Sequence, residues 1–314
     1  MKRREFLTST LAAGLAAAAL AQEAPMADLP RRPYGKDGVT LPIIGFGGIV
    51  VMNETREDAA RYVSAAYDQG VDYFDVAPTY GNAEERLGPA LEPYRDRSFL
   101  ACKTEKRDAA EGRAALENSL RLLRTDHFDL YQLHSLTTDE DIERAFGPGG
   151  VMEVAVAAKE QGLTRYLGFS AHSDEAAVRA LELYDFDSIL FPLNCVTMMK
   201  GDFGHRALAK AQEKGASILA LKGLAWGRWE ATAQARSDKP KAWYQPITDP
   251  DLGRLSLSYT LGLPITAAVP PGDWESFELA LSIARGYQPL NDEELARLRE
   301  RVQFAAPIFE SAEA

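Results

Sequence analysis

Gly70-Val71-Asp72-Tyr73-Phe74-Asp75-Val76-Ala77-Pro78-Thr79-Tyr80-Gly81-Asn82-Ala83-Glu84-Glu85-Arg86-Leu87-Gly88 reads as a short strand, a broken loop and the start of a helix. The apolar run ends on the carboxylate of Asp75, and Pro78 stops it. Asn82 is a good N-cap, and Glu85 three residues later predicts a capping box. A strand that delivers Asp75 and Tyr80 to one rim, with a helix behind it, is a βα unit whose loop can do chemistry.

The same rhythm runs outward in both directions. On the N-terminal side, residues 31–41 predict a hairpin turning at Gly35-Lys36-Asp37-Gly38, and a strand at 43–46 precedes a helix over 57–69. Downstream, strands at 99–103, 129–134, 165–169, 188–191, 217–221 and 265–269 each precede helical periodicity. The corresponding helices span 109–123, a region ending near 162, 175–183, 205–214, a stretch near 252–261 and 274–285. Eight such pairs, with strands short and continuously apolar, predict a parallel sheet buried on both faces. That count favours a closed (β/α)8 TIM barrel, an α/β fold, with an N-terminal β-hairpin. No Pro-, Gly- or Ser-rich linker interrupts the rhythm, so 31–314 reads as one domain. Gly45-Phe46-Gly47-Gly48 fails the GxGxxG spacing, because Val50 stands where the third glycine belongs. Gly47 and its neighbours instead let the backbone approach whatever fills the barrel mouth.

The chain has 314 residues, 46% of them hydrophobic, and a formal net charge of −11. Such a charge repels nucleic acid and anionic lipid surfaces. Cys102 and Cys195 form no CxxC, and His127, His134, His172 and His205 show no HxH or HExxH spacing, so no metal site is predicted. At the N-terminus, Arg3-Arg4 stands before Phe6-Leu7 and an Ala-rich run too short and mild to span a bilayer permanently. This segment resembles a bacterial twin-arginine export signal, cleaved near Ala21. Residues 1–21 are then the signal and 22–30 a linker. The resemblance implies the twin-arginine machinery as a partner, a periplasmic or otherwise exported location, and export in the folded state with a cofactor aboard.

In a parallel barrel, active groups sit at the C-terminal ends of the strands. Asp75, Lys103 and His134 end three consecutive strands there, and Tyr80 lies in the loop after the first of them. Taken singly, each admits a structural reading: a turn cap, a packed ring, a solvated strand end, a core histidine. Four polar groups on one rim are harder to dismiss, and their chemistry interlocks. A phenol titrates near ~10, and a neighbouring ammonium is expected to lower that value. Lys103, held by Asp75, would do so for Tyr80, and His134 would orient a substrate oxygen. None of the four supplies a hydride or an electrophile, so a reduction needs an organic cofactor.

These residues resemble the aldo-keto reductase superfamily over nearly all of the chain after the signal. The matches are Asp75 with Tyr80-Gly81, Glu84 and Leu87-Gly88, then Lys103-Thr104. They continue through Ser119-Leu120-Arg121-Leu122-Leu123, Asp126 and Asp129-Leu130-Tyr131 to His134. The resemblance implies that Tyr80 is the proton donor, that Lys103 and Asp75 tune it, and that His134 orients a carbonyl. It implies hydride from a nicotinamide cofactor and a small aldehyde, ketone or sugar as substrate. Gly168-Phe169-Ser170 is similar to the family's cofactor-amide turn, which puts Ser170 on the carboxamide.

Departures from the family pattern follow. Ala171 and His172 stand where asparagine usually follows the serine, and Leu190, with Asn194 further on, replaces a common glutamine. Leu221 replaces the aromatic that stacks on the nicotinamide, with Lys222 in reach of the pyrophosphate. These changes resemble a divergent branch that often carries a C-terminal iron–sulfur module, but the chain has no cysteine cluster to hold one. After Val269-Pro270-Pro271-Gly272, where basic residues normally hold the 2′-phosphate of NADP, come Asp273, Trp274 and Glu275. Carboxylates there predict NAD(H) over NADP(H), although both acids also suit the N-terminus of the last helix. Trp226, Trp229, Trp243 and Tyr244, in the long loop after the seventh barrel strand, are candidates for the substrate pocket. Two other readings stay open: a redox-neutral sugar-modifying enzyme with tightly bound NAD(H), and a non-catalytic nicotinamide-binding sensor or partner subunit.

Overall fold

Arg31–Tyr34 (β1) and Val39–Pro42 (β2) pair antiparallel, turning through Gly35 and Gly38, both at positive φ. This is the expected hairpin, in a computed structural model that describes residues 28–229 and 239–311. Residues 1–21, expected from the sequence to be an export signal, and most of the expected linker 22–30 lie outside the described residues. Leu29, which the sequence assigns to that linker, is buried against the core instead.

Eight parallel strands follow in order: Phe46–Gly47 (β3), Tyr73–Asp75 (β4), Phe99–Thr104 (β5), Phe128–Leu136 (β6), Thr164–Ala171 (β7), Ser188–Pro192 (β8), Ser217–Leu221 (β9) and, after a two-stranded excursion, Ala267–Val269 (β12). That excursion pairs Ala225–Gly227 (β10) with Gln245–Pro246 (β11). Each barrel strand pairs with its sequence neighbour. The ring closes where the Gly45 N–H donates to Ala268 O at 2.9 Å and the Ala268 N–H donates to Ile43 O at 2.8 Å. The (β/α)8 barrel read from the sequence is therefore the observed fold.

The surrounding helices include Arg56–Asp68 (α1), Ala83–Leu91 (α2), Ala109–Leu122 (α3), Asp139–Phe146 (α4), Val151–Glu160 (α5), Asp174–Leu183 (α6), Cys195–Met199 (α7), His205–Lys214 (α8), Pro250–Gly262 (α9), Trp274–Arg285 (α10) and Asp292–Val302 (α11). Two of them, α7 and α11, have no counterpart in the sequence reading. Asn82 does precede α2, but its side chain makes no cap. Its Oδ1 accepts from the Asn53 N–H at 2.7 Å, tying the loop before α1 to the Tyr80 loop. The expected capping box is thus replaced by a loop-to-loop bond.

Successive strand side chains point to opposite faces, which sorts the barrel into two cores. Tyr73, Ala101, Leu130, Leu190, Leu219 and Ala267 fill the interior, above Tyr34 and Leu41 from the hairpin. Phe74, Cys102, Tyr131, Phe169, Phe191 and Ala220 face outward to the helices. One step of two further along the strands, the interior register reaches Asp75, Lys103, Gln132, Leu221 and Val269. Gly45 serves packing, since a Cβ there would stand 2.4 Å from the Tyr73 ring.

Candidate active site

The deepest pair is Asp75 on β4 and Lys103 on β5, both buried, with the Lys103 ammonium donating to Asp75 Oδ1. The same Nζ donates to the Val76 carbonyl at 3.2 Å. On its other oxygen, Asp75 accepts from Gln132 Nε2 at 3.2 Å and from the Tyr73 hydroxyl at 3.5 Å. Sequence reasoning missed Gln132 and Tyr73. Their signal was the period of two that puts Gln132 on the inward register between Leu130 and His134. Burial alone would lower the lysine's pKa, but Asp75 and Tyr80 outweigh it and hold the amine above its usual value.

Tyr80 lies above this pair, with the Lys103 ammonium 5.5 Å from its ring centre. Burial pushes the phenol up, Lys103 pulls it down, and Asp75 adds to the rise. The net direction is upward. The expected lowering by Lys103 is present, but desolvation outweighs it and Asp75 adds to the rise, so the phenol ends above its ordinary value. His134 meets Tyr80 edge to face, ring centres 5.8 Å apart. Its Nδ1 lies 3.4 Å from the Thr79 hydroxyl. Burial, followed by Lys103, His172, Lys222 and Arg107, depresses His134 to about 3, so its imidazole is neutral.

These groups open into a cavity of about 350 Å³. Asp75, Tyr80, Lys103 and His134 line it, as do Gly47, Ser170, Leu221, Lys222, Trp243, Tyr244 and Gly272 among the other candidates. The Ser170 hydroxyl accepts from the Ser135 N–H at 2.8 Å. His172 and Lys241 also line the cavity. The sequence marks His172 only as a departure after Ser170, with no role attached, whereas Lys241 sits in a loop with no periodic signal and goes unmarked.

Five candidates lie elsewhere. Asn194 caps α7, its Oδ1 accepting from the N–H groups of Val196 and Thr197 at 2.9 and 3.0 Å. Trp226 packs against the cluster of α7, α9 and α11, and Trp229 donates to the Ala242 carbonyl at 2.9 Å. Asp273 is the N-cap of α10, accepting from the Ser276 N–H at 3.0 Å. Asp273 and Glu275 both grip Lys239, at 2.9 and 2.5 Å. Lys239 is the basic residue that the sequence around strand eight did not reveal, because it arrives from the loop after β10. Gly272 is glycine for packing as well, since a Cβ there would fall 2.2 Å from Ile49 Cγ2. Among the described residues, no three His, Cys, Asp or Glu side chains gather as a metal site.

Residues 43–296 match the aldo/keto reductase family. An uncharacterized oxidoreductase of Bacillus subtilis, YqkF, is 24% identical over 87% of this chain and 96% of its own. A 6-dehydroglucose reductase of Novosphingobium aromaticivorans is 28% identical over 69% of this chain and 77% of its own. Among solved structures, the aldo-keto reductase AKR11C1 from Bacillus halodurans superposes with a TM-score of 0.68 at 21% identity. That match covers 91% of this chain and 99% of the other, a likeness of fold.

Proposed function

This chain belongs to the aldo/keto reductase family, and from that premise we propose an oxidoreductase that interconverts a small carbonyl compound and its alcohol with Tyr80 as the acid and base. The observation that carries the reading is the convergence of Tyr80, Lys103, Asp75 and His134 on one cavity. Tyr80 and His134 line the same cavity with ring centres 5.8 Å apart, so one substrate oxygen would be shared between them. The phenol is protonated at neutral pH at its ordinary value near ~10, and burial raises it further, so Tyr80 gives its proton to the oxygen as the carbonyl is reduced. Lys103, fixed by Asp75 and the Val76 carbonyl, stabilises the phenolate left behind. A neutral His134 that accepts the Thr79 hydroxyl at Nδ1 presents Nε2–H to the same oxygen. In the oxidative direction, each proton moves back along the same path.

The donor set fits a nicotinamide dinucleotide. Leu190, Leu221 and Val269 offer apolar faces for a flat ring, Ser170 a hydroxyl for the carboxamide, and Gly47 an approach without a side chain. The chemistry such a cofactor supplies when bound is hydride exchange with the carbonyl carbon. Around Lys239, Asp273 and Glu275, one negative charge is left over, which disfavours a 2′-phosphate and supports NAD(H). The N-terminal pattern supports export by the twin-arginine route, which fractionation of cells making the full chain would check.

The test of the catalytic reading is absorbance at 340 nm with dinucleotide and a panel of aldehydes and sugars. Tyr80→Phe is expected to lose roughly 10²–10⁴ in turnover while keeping its dinucleotide affinity. Unchanged turnover would remove Tyr80 from the mechanism. Bound dinucleotide that never changes redox state in the unmodified protein would favour the sensor.

A further inference from the structure

Lys222 follows β9 directly and holds φ 63°, a left-handed conformation unfavourable for a residue other than glycine. Its side chain enters the wall of the cavity and is 7% exposed. The ammonium lies 5.6 Å from the ring centres of both Trp243 and Phe309. Its one polar neighbour within hydrogen-bond reach among the described residues is His172 Nε2, at 3.5 Å.

His172 does not balance the charge. Burial and then Lys222 hold its imidazole down at about 3, so the ring is neutral. It stacks on Phe309 at 5.1 Å, and its Nδ1 lies 3.5 Å from the Ser135 hydroxyl. With Nδ1–H turned to Ser135, Nε2 is left to accept from the lysine. The other cavity amines have carboxylates: Lys103 has Asp75, and Lys241 has Glu54 at 2.5 Å. Among the described residues, Lys222 has no carboxylate ion pair, and burial followed by Lys103 lowers it to about 7. A buried cation without a counter-charge is costly, and an arriving anion removes that cost.

Its field also acts on the reacting groups. Lys222 is among the charges that depress His134, and Lys103 among those that depress Lys222. We propose that Lys222, shielded by Trp243 and Phe309 and steadied by His172, is the subsite for a carboxylate on the substrate. The preferred carbonyl compounds are then acids rather than neutral aldehydes or sugars. This rests on the oxidoreductase reading. The dinucleotide's phosphates share the oxyanion chemistry, so the test must separate the two sources.

Binding is measured by tryptophan fluorescence, which Trp243 reports, in the full-length Tyr80→Phe protein, where ligands bind without turnover. The probes are 4-carboxybenzaldehyde against benzaldehyde and D-glucuronate against D-glucose, each with saturating NAD⁺. The acids are expected to bind at least about tenfold tighter than their neutral partners, a preference lost in Lys222→Met and kept in Lys222→Arg. Equal affinities within each pair would overturn the proposal. So would a Lys222→Met protein that keeps the preference but binds NAD⁺ about tenfold more weakly, since the ammonium would then serve the cofactor's phosphates. Circular dichroism verifies that both variants fold. Failure of the oxidoreductase reading shows separately, as no 340 nm change with Tyr80 intact.

Discussion

At Tyr80 the influences on ionisation oppose one another. Burial raises the phenol, Lys103 lowers it and Asp75 adds to the rise, so in the proposed reaction Lys103 is the group that stabilises the anion once the proton has left. That division makes the Asp75–Lys103 pair structural and chemical at once, and the two roles can be separated. Lys103→Met leaves a buried carboxylate with Gln132 and Tyr73 as its remaining partners among the described residues. Breaking a buried pair on one side costs ~3–5 kcal/mol, so its urea midpoint is expected to fall steeply. Adding Asp75→Asn removes the orphaned charge, and the double variant is expected to recover most of the stability but none of the turnover. Additive losses in the denaturation cycle would refute the coupling.

The N-terminus of α10 shows the same logic between elements. Asp273 caps the helix, Glu275 sits in its first turn, and Lys239 reaches across from another loop to hold both. Lys239→Ala leaves two carboxylates unopposed, and the ratio of the NADP(H) to the NAD(H) dissociation constant is expected to rise several-fold. Asp273→Asn with Glu275→Gln is expected to lower it. Fluorescence titration reads both, and a ratio that ignores either change removes this helix end from cofactor choice. Tighter NADP(H) binding by the unmodified protein would end the proposal of an NAD(H) preference. Elements were legible in the sequence where a period governed them. Asp75 and Lys103 each end a strand of the βα rhythm, so they could be placed on one rim, whereas the reason for Gly88 shows only in the fold: its Cβ would lie 2.4 Å from the Leu122 carbonyl. Partners chosen by tertiary approach left no such trace. Asn82 answers Asn53 rather than its own helix, Asn194 caps α7 rather than facing the cavity, and Lys239 and Lys241 come from a loop without periodicity.

For the molecule as a whole, one barrel mouth gathers Lys103, Lys222, His134 and His172, and the cost of charging them appears in global stability. Both histidines titrate near ~6.5 when unfolded, and burial, with Lys103 pressing first on His134 and Lys222 on His172, brings them to about 3 in the fold. Between those values the unfolded chain binds more protons, so stability is fully present above ~6.5 and drains as pH falls toward 3, by ~1.4 kcal/mol per pH unit for each ring. Glu84, raised by burial, acts in the opposite sense at and above its ordinary range. A comparison of variants isolates the histidines from it. Urea midpoints measured from pH 7 to pH 4 are expected to fall in the unmodified protein and to flatten in His134→Gln with His172→Gln. Parallel curves for the two proteins would mean that the barrel mouth takes up protons without cost, and that burial does not enforce the neutral imidazole on which the proposed role of His134 depends.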